Sequence, residues 1–300
     1  MKKILVVGSI NLDMVVNVDH CPMTGETILT DHLDLIPGGK GANQAYTAGR
    51  LGGNVSMLGA VGDDSYGNLL INNLISADVN TTAVIKKEGN SSGLAFIHVN
   101  KEGDNSITVV SGANALITKD DIDAHRELFE EADILLLQLE IPINTVCYAA
   151  KIAKDLGKTV ILDPAPAPSV LPEDLFKYAD IVKPNETELG MLSGMEISEK
   201  TLSTAAAIIR KKGVKHVLVT LGEKGVYLDS EVYGILQIPA IKVDAVDTTG
   251  AGDAFTGALA VMLAMDKTLP EAIAFANRVS SIVVTRKGAQ SSIPGIDEVI

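Results

Sequence analysis

The hydrophobic residues of this chain form short continuous runs that alternate with longer segments of helical spacing. Runs such as 134–137 are typical of strands covered on both faces, and segments such as 143–156 are typical of amphipathic helices. Strands that alternate with helices predict a doubly wound, mostly parallel sheet flanked by helices. The predicted strands are 3–7, 54–61, 134–139, 159–162, 181–183 and 216–220, with a hairpin of 226–228 and 235–238. The predicted helices are 65–76, 120–130, 143–156, 186–192, 199–212, 252–265 and 269–285.

Two clusters of short β segments interrupt this alternation. One contains 14–18, 27–29 and 33–36, and the other is a hairpin of 93–99 and 106–110 around the turn 100–104. We expect them to form one small sheet that acts as a lid. The predicted organisation is therefore an α/β core of 1–13, 38–92 and 111–300, with a discontinuous β-sheet lid of 14–37 and 93–110.

Composition narrows the possible partners. The chain has 300 residues, 46% of them hydrophobic, and a formal net charge of −13, which argues against a nucleic-acid or membrane surface as partner. Its sequence contains no apolar stretch of membrane-spanning length. Cys21 and Cys147 lack metal-ligand spacing, so we expect free thiols in a reducing cytoplasm.

The segment 247–253, Asp-Thr-Thr-Gly-Ala-Gly-Asp, comes directly before an apolar helix. Glycines at a helix start let another molecule approach the open N–H groups of Gly250, Ala251 and Gly252, which favour negative charge. Asp253 at this point suits a base that takes a proton from a hydroxyl attacking phosphorus. The alternative is an ordinary helix N-terminus with an Asp in its first turn.

Polar residues follow several predicted strands, where ligands of such sheets bind. Asn11 and Asp13 are spaced to grip a vicinal diol, or they form an Asx turn. Asn185 and Glu188 lie three residues apart in a first helical turn, so they orient a hydrated Mg²⁺ or simply cap the helix. Further polar groups or glycines at strand ends are Glu140, Asp163 and Gly222.

Three glycine-rich or polar segments each have two interpretations. In 37–45 a P-loop is excluded because Gly41 replaces the required Ser or Thr, which leaves close approach of a polyhydroxyl ligand to Gly39, Gly41 and Asn43, or a hinge. The turn 220–225 either supports an adenine or ribose on Gly222 and Gly225 or is a plain hairpin turn. The tail 285–294 either wraps carbonyls around a cation or is a C-terminal loop.

Taken together, these segments resemble the ribokinase (PfkB-type) carbohydrate kinase family. One matching signature runs from Gly38-Gly39-Lys40-Gly41-Ala42-Asn43 through Gly52 to Gly62, and the other from Asp247 through Gly257-Ala258-Leu259. The likeness covers essentially the whole chain. It implies a ribokinase-like fold and ATP-dependent phosphorylation of D-ribose at its 5-hydroxyl. Alternatives are a kinase for deoxyribose, fructose or adenosine, or a non-catalytic sugar or nucleotide sensor.

The resemblance also implies roles for individual residues. Asp253 is the base, and the N–H groups of Gly250, Ala251 and Gly252 form the anion hole. It further implies Mg²⁺ carried with ATP, an activating K⁺, and a homodimer formed through the lid sheet. The sugar-binding residues are Asn11, Asp13, Gly39, Lys40, Gly41, Asn43, Glu140 and Asp253; the ATP-binding residues are Asn185, Thr220, Gly222, Gly225, Gly252 and Asn277; Asn185 and Glu188 organise Mg²⁺ through water; and Asp247, Thr249, Val283, Arg286, Gly288 and Ser292 surround K⁺.

The sequence departs from the family pattern at two places. Val283 replaces a residue that is often small, which matters little for a main-chain carbonyl. The chain ends at Ile300, where many members continue with a helical segment, and we expect little effect on the chemistry.

Overall fold

The computed structural model describes residues 1–102, 104–168 and 170–300. The strands are β1 (Lys3–Val7), β2 (Asn11–Asn17), β3 (Asp34–Gly38), β4 (Asn54–Gly62), β5 (Asn80–Lys87), β6 (Gly93–Val99), β7 (Asn105–Val110), β8 (Ile134–Leu137), β9 (Thr159–Leu162), β10 (Ile181–Val182), β11 (His216–Thr220), β12 (Val226–Ser230) and β13 (Gly234–Ile238). The helices are α1 (Lys40–Arg50), α2 (Ser65–Ile75), α3 (Lys119–Ala124), α4 (Arg126–Glu131), α5 (Ile143–Asp155), α6 (Glu173–Tyr178), α7 (Glu186–Ser193), α8 (Leu202–Arg210), α9 (Ala251–Ala264) and α10 (Leu269–Val283).

A nine-stranded sheet forms the centre of the molecule, with the order β13-β12-β11-β10-β9-β8-β1-β4-β5. All its pairs are parallel except those that β12 makes with β11 and β13. The predicted α/β class with a mostly parallel sheet is thus confirmed. The carboxyl ends of the parallel strands lie at one edge, where their following loops meet.

The sheet is covered on both faces because its strands are apolar on both faces. In β1, Ile4 and Val6 pack in one core with α1, α9 and α10, whereas Leu5 and Val7 pack in a second core with α5 and α8. The β1 strand is therefore a continuous apolar run rather than an alternating one. In the part of the chain that the structure describes, no helix combines the length and apolarity needed to cross a bilayer.

A separate four-stranded sheet, which we call the small sheet, has the order β3-β2-β6-β7. Its β2–β6 pair is parallel, and β2–β3 and β6–β7 are antiparallel. Strand β2 begins at Asn11, three residues before the predicted boundary at 14, so Asn11 and Asp13 lie in this sheet. The predicted strand 27–29 is wrong: the segment is irregular, and Leu29 is 93% exposed. Gly103, in the predicted turn 100–104, lies outside the described residues.

Other differences from the predicted elements have local causes. The predicted helix 120–130 is two helices, α3 and α4, because His125 has a non-helical backbone between them. The helix predicted from 199 begins at Leu202, after a turn closed by the hydrogen bond from the Ser198 N–H to Thr201 Oγ1. Strand β5 and helix α6 were not predicted, since β5 is partly exposed with a mixed pattern and α6 has six residues.

Candidate active site

The predicted site residues meet at the carboxyl edge of the nine-stranded sheet. The chain leaves β1 towards Asn11, leaves β8 towards Glu140 and leaves β9 at Asp163, and the N-terminus of α9 lies at the same edge. Hydrogen bonds over more than one hundred residues of sequence connect these ends. One example joins the α1 residue Asn43 to Asp253 of α9. Side chains that follow different strand ends are therefore brought together at this edge.

Asp253 lies in the first turn of α9, with only 5% of its surface exposed. Asn43 donates from Nδ2 to its Oδ2 atom at 2.9 Å, and Gln44 Nε2 lies 3.4 Å from its Oδ1 atom. Gln290 donates to Asn43 Oδ1 at 2.9 Å, which fixes the orientation of the Asn43 amide. The carboxylate is thus held in place by side chains that come from α1 and from the tail after α10.

The backbone at the start of α9 leaves room for an anion. Gly250 has a φ of +74°, a left-handed conformation that turns the chain into the helix. The first N–H groups of a helix have no partner within it. A Cβ atom at Gly252 would have Lys183 Nζ, at 3.5 Å, as its nearest neighbour, so the space over this backbone is open. The geometry of the segment is that of an anion-binding helix start.

A buried ion pair lies beneath this helix start. Lys183 Nζ is 3.1 Å from Asp163 Oδ2, with side-chain exposures of 4% and 2%, and 3.3 Å from the Gly252 carbonyl. Thr256 Oγ1 is 3.1 Å from the same Asp163 oxygen, and Gln44 donates to it at 3.0 Å. Burial raises the pKa of Asp163, while the charges of Lys183 and Lys40 oppose that rise. No role was predicted for Lys183, Gln44 or Thr256, since nothing local in the sequence connects them.

Glu140 is held in place by two groups. Ser9 Oγ donates to Glu140 Oε2 at 2.5 Å, and the Lys40 N–H donates to the same oxygen at 3.0 Å. The Lys40 side chain faces several carboxylates, of which Asp253 contributes most to raising its pKa. Burial, followed by the charges of Glu140 and Asp253, raises the pKa of Asp13 to about 7.

Gly39 and Gly41 are needed for packing of the protein against itself. Gly39 has a φ of +86°, and a Cβ there would lie 2.7 Å from the Asn11 nitrogen. A Cβ at Gly41 would lie 2.7 Å from the backbone of Gly8 and Ser9. The glycines let α1 begin directly against the β1–β2 connection, so this contact explains both without a ligand.

A cavity of about 440 Å³ opens beside these groups, large enough for a small ligand. Asn11, Asn114 and Glu140 supply polar atoms to its wall, and Leu139, Ile141 and Val109 are among the apolar residues. Another cavity, of about 600 Å³, lies at the opposite edge of the sheet near Lys2 and His216, and none of the predicted site residues lines it.

Of the residues predicted to bind ATP and Mg²⁺, Asn185 and Glu188 are satisfied locally, whereas Thr220 and Asn277 have partners distant in sequence. Asn185 and Glu188 form a capping box on α7, in which each side chain accepts from the other residue's N–H at 2.8 Å. Thr220 pairs with Asn185 in an isolated parallel bridge. Asn277 of α10 donates to the Pro239 carbonyl at 3.1 Å. The structure therefore contains the capping alternative, and the capping box leaves a metal role open.

The two glycines of the turn 222–225 differ in their surroundings. A Cβ at Gly225 would lie 2.1 Å from the Ile238 carbonyl oxygen, so β13 requires glycine there. Gly222 is exposed, and a Cβ there would meet nothing within 4 Å. Only Gly222 thus offers an open backbone surface to a ligand.

The tail after α10 lies against the start of α9. Asp247 accepts hydrogen bonds from the N–H groups of Thr249 at 2.9 Å and Gly288 at 2.8 Å. Partial burial opposes ionisation of Asp247, but these hydrogen bonds hold its pKa below its ordinary value. The Val283 carbonyl accepts from the Arg286 N–H at 3.0 Å. Ser292 Oγ donates to the Ala289 carbonyl at 2.6 Å, and the Arg286 side chain pairs with Glu298.

Comparison with known proteins extends these observations. Residues 1–296 match the family described as pfkB family carbohydrate kinase. A ribokinase of Bacillus subtilis is 42% identical over 299 residues, covering 100% of this chain and 98% of that protein. A deoxyribokinase of Salmonella typhi is 39% identical, covering 98% and 96% respectively.

The fold agrees with this result. The structure of an Arabidopsis thaliana ribokinase complexed with ribose and ATP matches with a TM-score of 0.91 and 36% identity, over 99% of this chain and 97% of that one. The predicted family and the predicted sugar-kinase class are thereby confirmed, and the chain belongs to the pfkB family of carbohydrate kinases.

Proposed function

We propose that this protein transfers the γ-phosphoryl group of ATP to the 5-hydroxyl of D-ribose. Ribokinases matched over nearly their full length support the substrate, and the structure of the Arabidopsis enzyme is a complex with ribose and ATP. The observation that carries the proposal is the position of Asp253. Its buried carboxylate lies between the open start of α9 and the polar groups on the sugar-facing side.

The chemical difficulty is that a sugar hydroxyl is a poor nucleophile and the γ-phosphate is heavily charged. Asp253 accepts the hydroxyl proton as the oxygen attacks phosphorus, a role worth about 10²- to 10⁴-fold in rate. The N–H groups at Gly250, Ala251 and Gly252 face the charge that develops on the transferred group. Of these, the Ala251 N–H also bonds to the Thr248 carbonyl at 3.2 Å, which leaves the N–H groups of Gly250 and Gly252 as the freer donors.

The remaining polar groups hold the two substrates. Asp13 accepts from adjacent sugar hydroxyls, and Asn11 and Glu140 bind further oxygens of the ring. Asn43 acts through Asp253, to which its amide is bound. Lys40 lies among the carboxylates and offsets their charge as phosphate arrives. On the other side, ATP contacts Thr220, Asn185 and the open backbone of Gly222. Asn277 of α10 is also part of the proposed ATP site.

The donor set fits the expected cations. Asn185 and Glu188 provide amide and carboxylate oxygens, which suit a Mg²⁺ that keeps most of its waters and neutralises phosphate charge.

A second cation site is expected in the tail after α10. A monovalent cation such as K⁺ suits the carboxylate of Asp247, the hydroxyl of Ser292 and main-chain carbonyls of the tail. Residues expected to surround that ion are Asp247, Thr249, Val283, Arg286, Gly288 and Ser292.

The potassium site has a direct test. Rates are measured at equal ionic strength in KCl and in NaCl, with saturating ATP and ribose. We expect strong activation by K⁺, since an ion beside Asp247 and Gly288 would order the segment next to the anion hole. Equal rates in the two salts would contradict the proposed ion site while leaving the kinase activity intact.

We also propose that the small sheet closes over the sugar and joins a second copy of the chain. Strand pairing places Val109 on the same side of this sheet as Asp13, together with Ala95. Ile107 and Val109 are 52% and 50% exposed, which is high for large apolar residues on one face of a strand. We expect a dimer by light scattering and a monomer for Ile107→Glu.

The proposed site of action is the cytoplasm, where ATP is available.

A panel of sugars and one nucleoside tests which substrate the protein phosphorylates. D-ribose, 2-deoxy-D-ribose, D-fructose and adenosine are each supplied with ATP, and the phosphorylated product is identified by mass. We expect the highest kcat/KM for D-ribose. The deoxyribokinase relative makes 2-deoxy-D-ribose the second candidate. Preference for that sugar would overturn the ribose assignment, and absence of any product with K⁺ and Mg²⁺ present would overturn the kinase assignment.

A further inference from the structure

Asn114 lies in a short 3₁₀ turn, Gly112–Leu116, that follows the last strand of the small sheet. It is 1% exposed, and its side chain makes three hydrogen bonds to the connection between β1 and β2. Asn114 Oδ1 accepts from the Ile10 N–H at 2.9 Å. Asn114 Nδ2 donates to the Ile10 carbonyl at 3.1 Å and to Asn11 Oδ1 at 2.7 Å.

These contacts determine which way both amides point. A backbone N–H only donates and a backbone carbonyl only accepts, so the Ile10 contacts fix the oxygen and the nitrogen of Asn114. Since Asn114 presents its nitrogen to Asn11, the atom of Asn11 that faces it must be the oxygen. The NH₂ group of Asn11 therefore lies on the other branch of its amide, away from Asn114.

The neighbouring backbone is built to accommodate this pair. A Cβ atom at Gly93, the first residue of β6, would lie 2.2 Å from Asn11 Oδ1 and 2.3 Å from Asn114 Nδ2. Glycine at position 93 thus leaves the space that the Asn11–Asn114 hydrogen bond occupies. Asn11 and Asn114 both line the 440 Å³ cavity beside Glu140.

We propose that Asn114 is a positioning residue that makes Asn11 a hydrogen-bond donor to the sugar. This inference rests on the proposed function, in which Asn11 binds the sugar. Asn11 then donates to a lone pair of a sugar oxygen, whereas Asp13, two residues further along β2, accepts a hydroxyl proton. The two side chains present opposite hydrogen-bonding polarity to neighbouring oxygens, which an inverted Asn11 amide would not do.

Asn114→Asp tests the inference with almost no change in volume. The carboxylate still accepts from the Ile10 N–H but cannot donate to Asn11, so the Asn11 amide turns its nitrogen towards residue 114 and its oxygen towards the sugar. We expect the KM for ribose to rise about 10- to 100-fold, with kcat and the KM for ATP within about twofold of wild type. Asn72→Asp, an exposed Asn on α2, is the matched control and should leave all three values unchanged.

A double-mutant cycle separates positioning from a general structural effect. If Asn114 acts through Asn11, the variants Asn11→Ala and Asn11→Ala/Asn114→Asp have the same ribose KM within about twofold. If the rise in ribose KM of the double variant is instead the product of the rises in the two single variants, the inference is wrong. Gly93→Ala disrupts the same pair from the opposite side, and a rise in ribose KM is expected there too.

The outcomes remain distinguishable if a variant folds poorly or if the function is wrong. Ribose affinity is also measured by calorimetry on protein whose thermal melting is cooperative. If Asn114→Asp does not fold, Gly93→Ala decides, and an unchanged ribose KM in that variant contradicts the inference. Failure of the wild-type protein to phosphorylate ribose contradicts the proposed function instead.

Discussion

The side of the site proposed to bind the sugar and the side proposed to bind ATP are built differently. On the sugar side, polar side chains are held by partners distant in sequence: Asn114 holds Asn11, Ser9 holds Glu140, and Asn43 holds Asp253. On the nucleotide side, Asn185 and Glu188 satisfy each other within one helical turn. The sugar side is therefore preorganised by the tertiary structure, whereas on the nucleotide side the proposed Mg²⁺ ligands form a local motif and Gly222 presents open backbone.

This difference has a functional consequence. Preorganised donors and acceptors need little rearrangement when the sugar binds, so their removal should affect turnover or sugar affinity strongly. Locally satisfied groups can be exchanged for isosteres that keep the local motif. Substitutions that keep shape but change charge or polarity therefore distinguish the two sides.

The largest effect is expected for Asp253→Asn. The amide cannot take up the hydroxyl proton, so kcat should fall by at least 10²- to 10⁴-fold, while dissociation constants for ribose and ATP change little. Turnover is measured by a coupled assay and binding by calorimetry. Asp266→Asn, with a side chain 74% exposed, is the matched control. Near-normal kcat for Asp253→Asn would show that another group is the base.

Removal of the ion pair beneath the start of α9 should cost stability. In Lys183→Met the buried Asp163 carboxylate loses its cation, which is expected to lower the free energy of unfolding by about 3–5 kcal/mol. Chemical denaturation measures the change. The double variant Asp163→Asn/Lys183→Met should recover part of the loss, because no buried charge then remains unpaired. A double variant less stable than Lys183→Met would contradict this explanation.

Glu188→Gln sharpens the comparison on the nucleotide side. Gln can still complete the capping box on α7, so melting temperature should be unchanged. If Glu188 orients the ion through water, loss of the negative charge should raise the Mg²⁺ concentration needed for the half-maximal rate about 10- to 100-fold. Rates are measured against Mg²⁺ at fixed ATP. An unchanged Mg²⁺ response would leave capping as the whole role of the pair.

The smallest effect expected is a pH dependence on the sugar side. Because the pKa of Asp13 is about 7 in the free protein, its carboxylate gains a proton as pH falls through neutrality. Protonation removes one acceptor for sugar hydroxyls, so the KM for ribose should rise up to about fivefold from pH 7 to pH 6. Asp13→Asn should bind ribose weakly at both pH values. A flat wild-type profile would contradict the role of Asp13.

Much of this arrangement could be predicted from the sequence, for an identifiable reason. Buried strands such as β1 and β8 are continuous apolar runs, and the glycine-rich start of α9 has a specific local pattern. The same is true of the capping box of α7. Such features depend on residues adjacent in the sequence, which single-sequence patterns describe well.

What could not be predicted depends on distant residues. Strand β5 was missed because its pattern is mixed, and the strand at 27–29 was wrong because three apolar or β-branched residues do not ensure pairing. Lys183 and Asn114 gave no signal, since their partners lie 20 and about 100 residues away. For Gly39 and Gly41, the sequence identified the residues but not the packing that requires them.

The central claim is that the Asp253 carboxylate faces the hydroxyl that attacks phosphorus. A crystal structure with D-ribose and a non-hydrolysable ATP analogue tests it most directly. We predict a distance of about 2.6–3.2 Å between an Asp253 carboxylate oxygen and the 5-hydroxyl oxygen, with the γ-phosphate over the start of α9. A bound sugar whose 5-hydroxyl has no contact with Asp253, directly or through one water, would contradict the account.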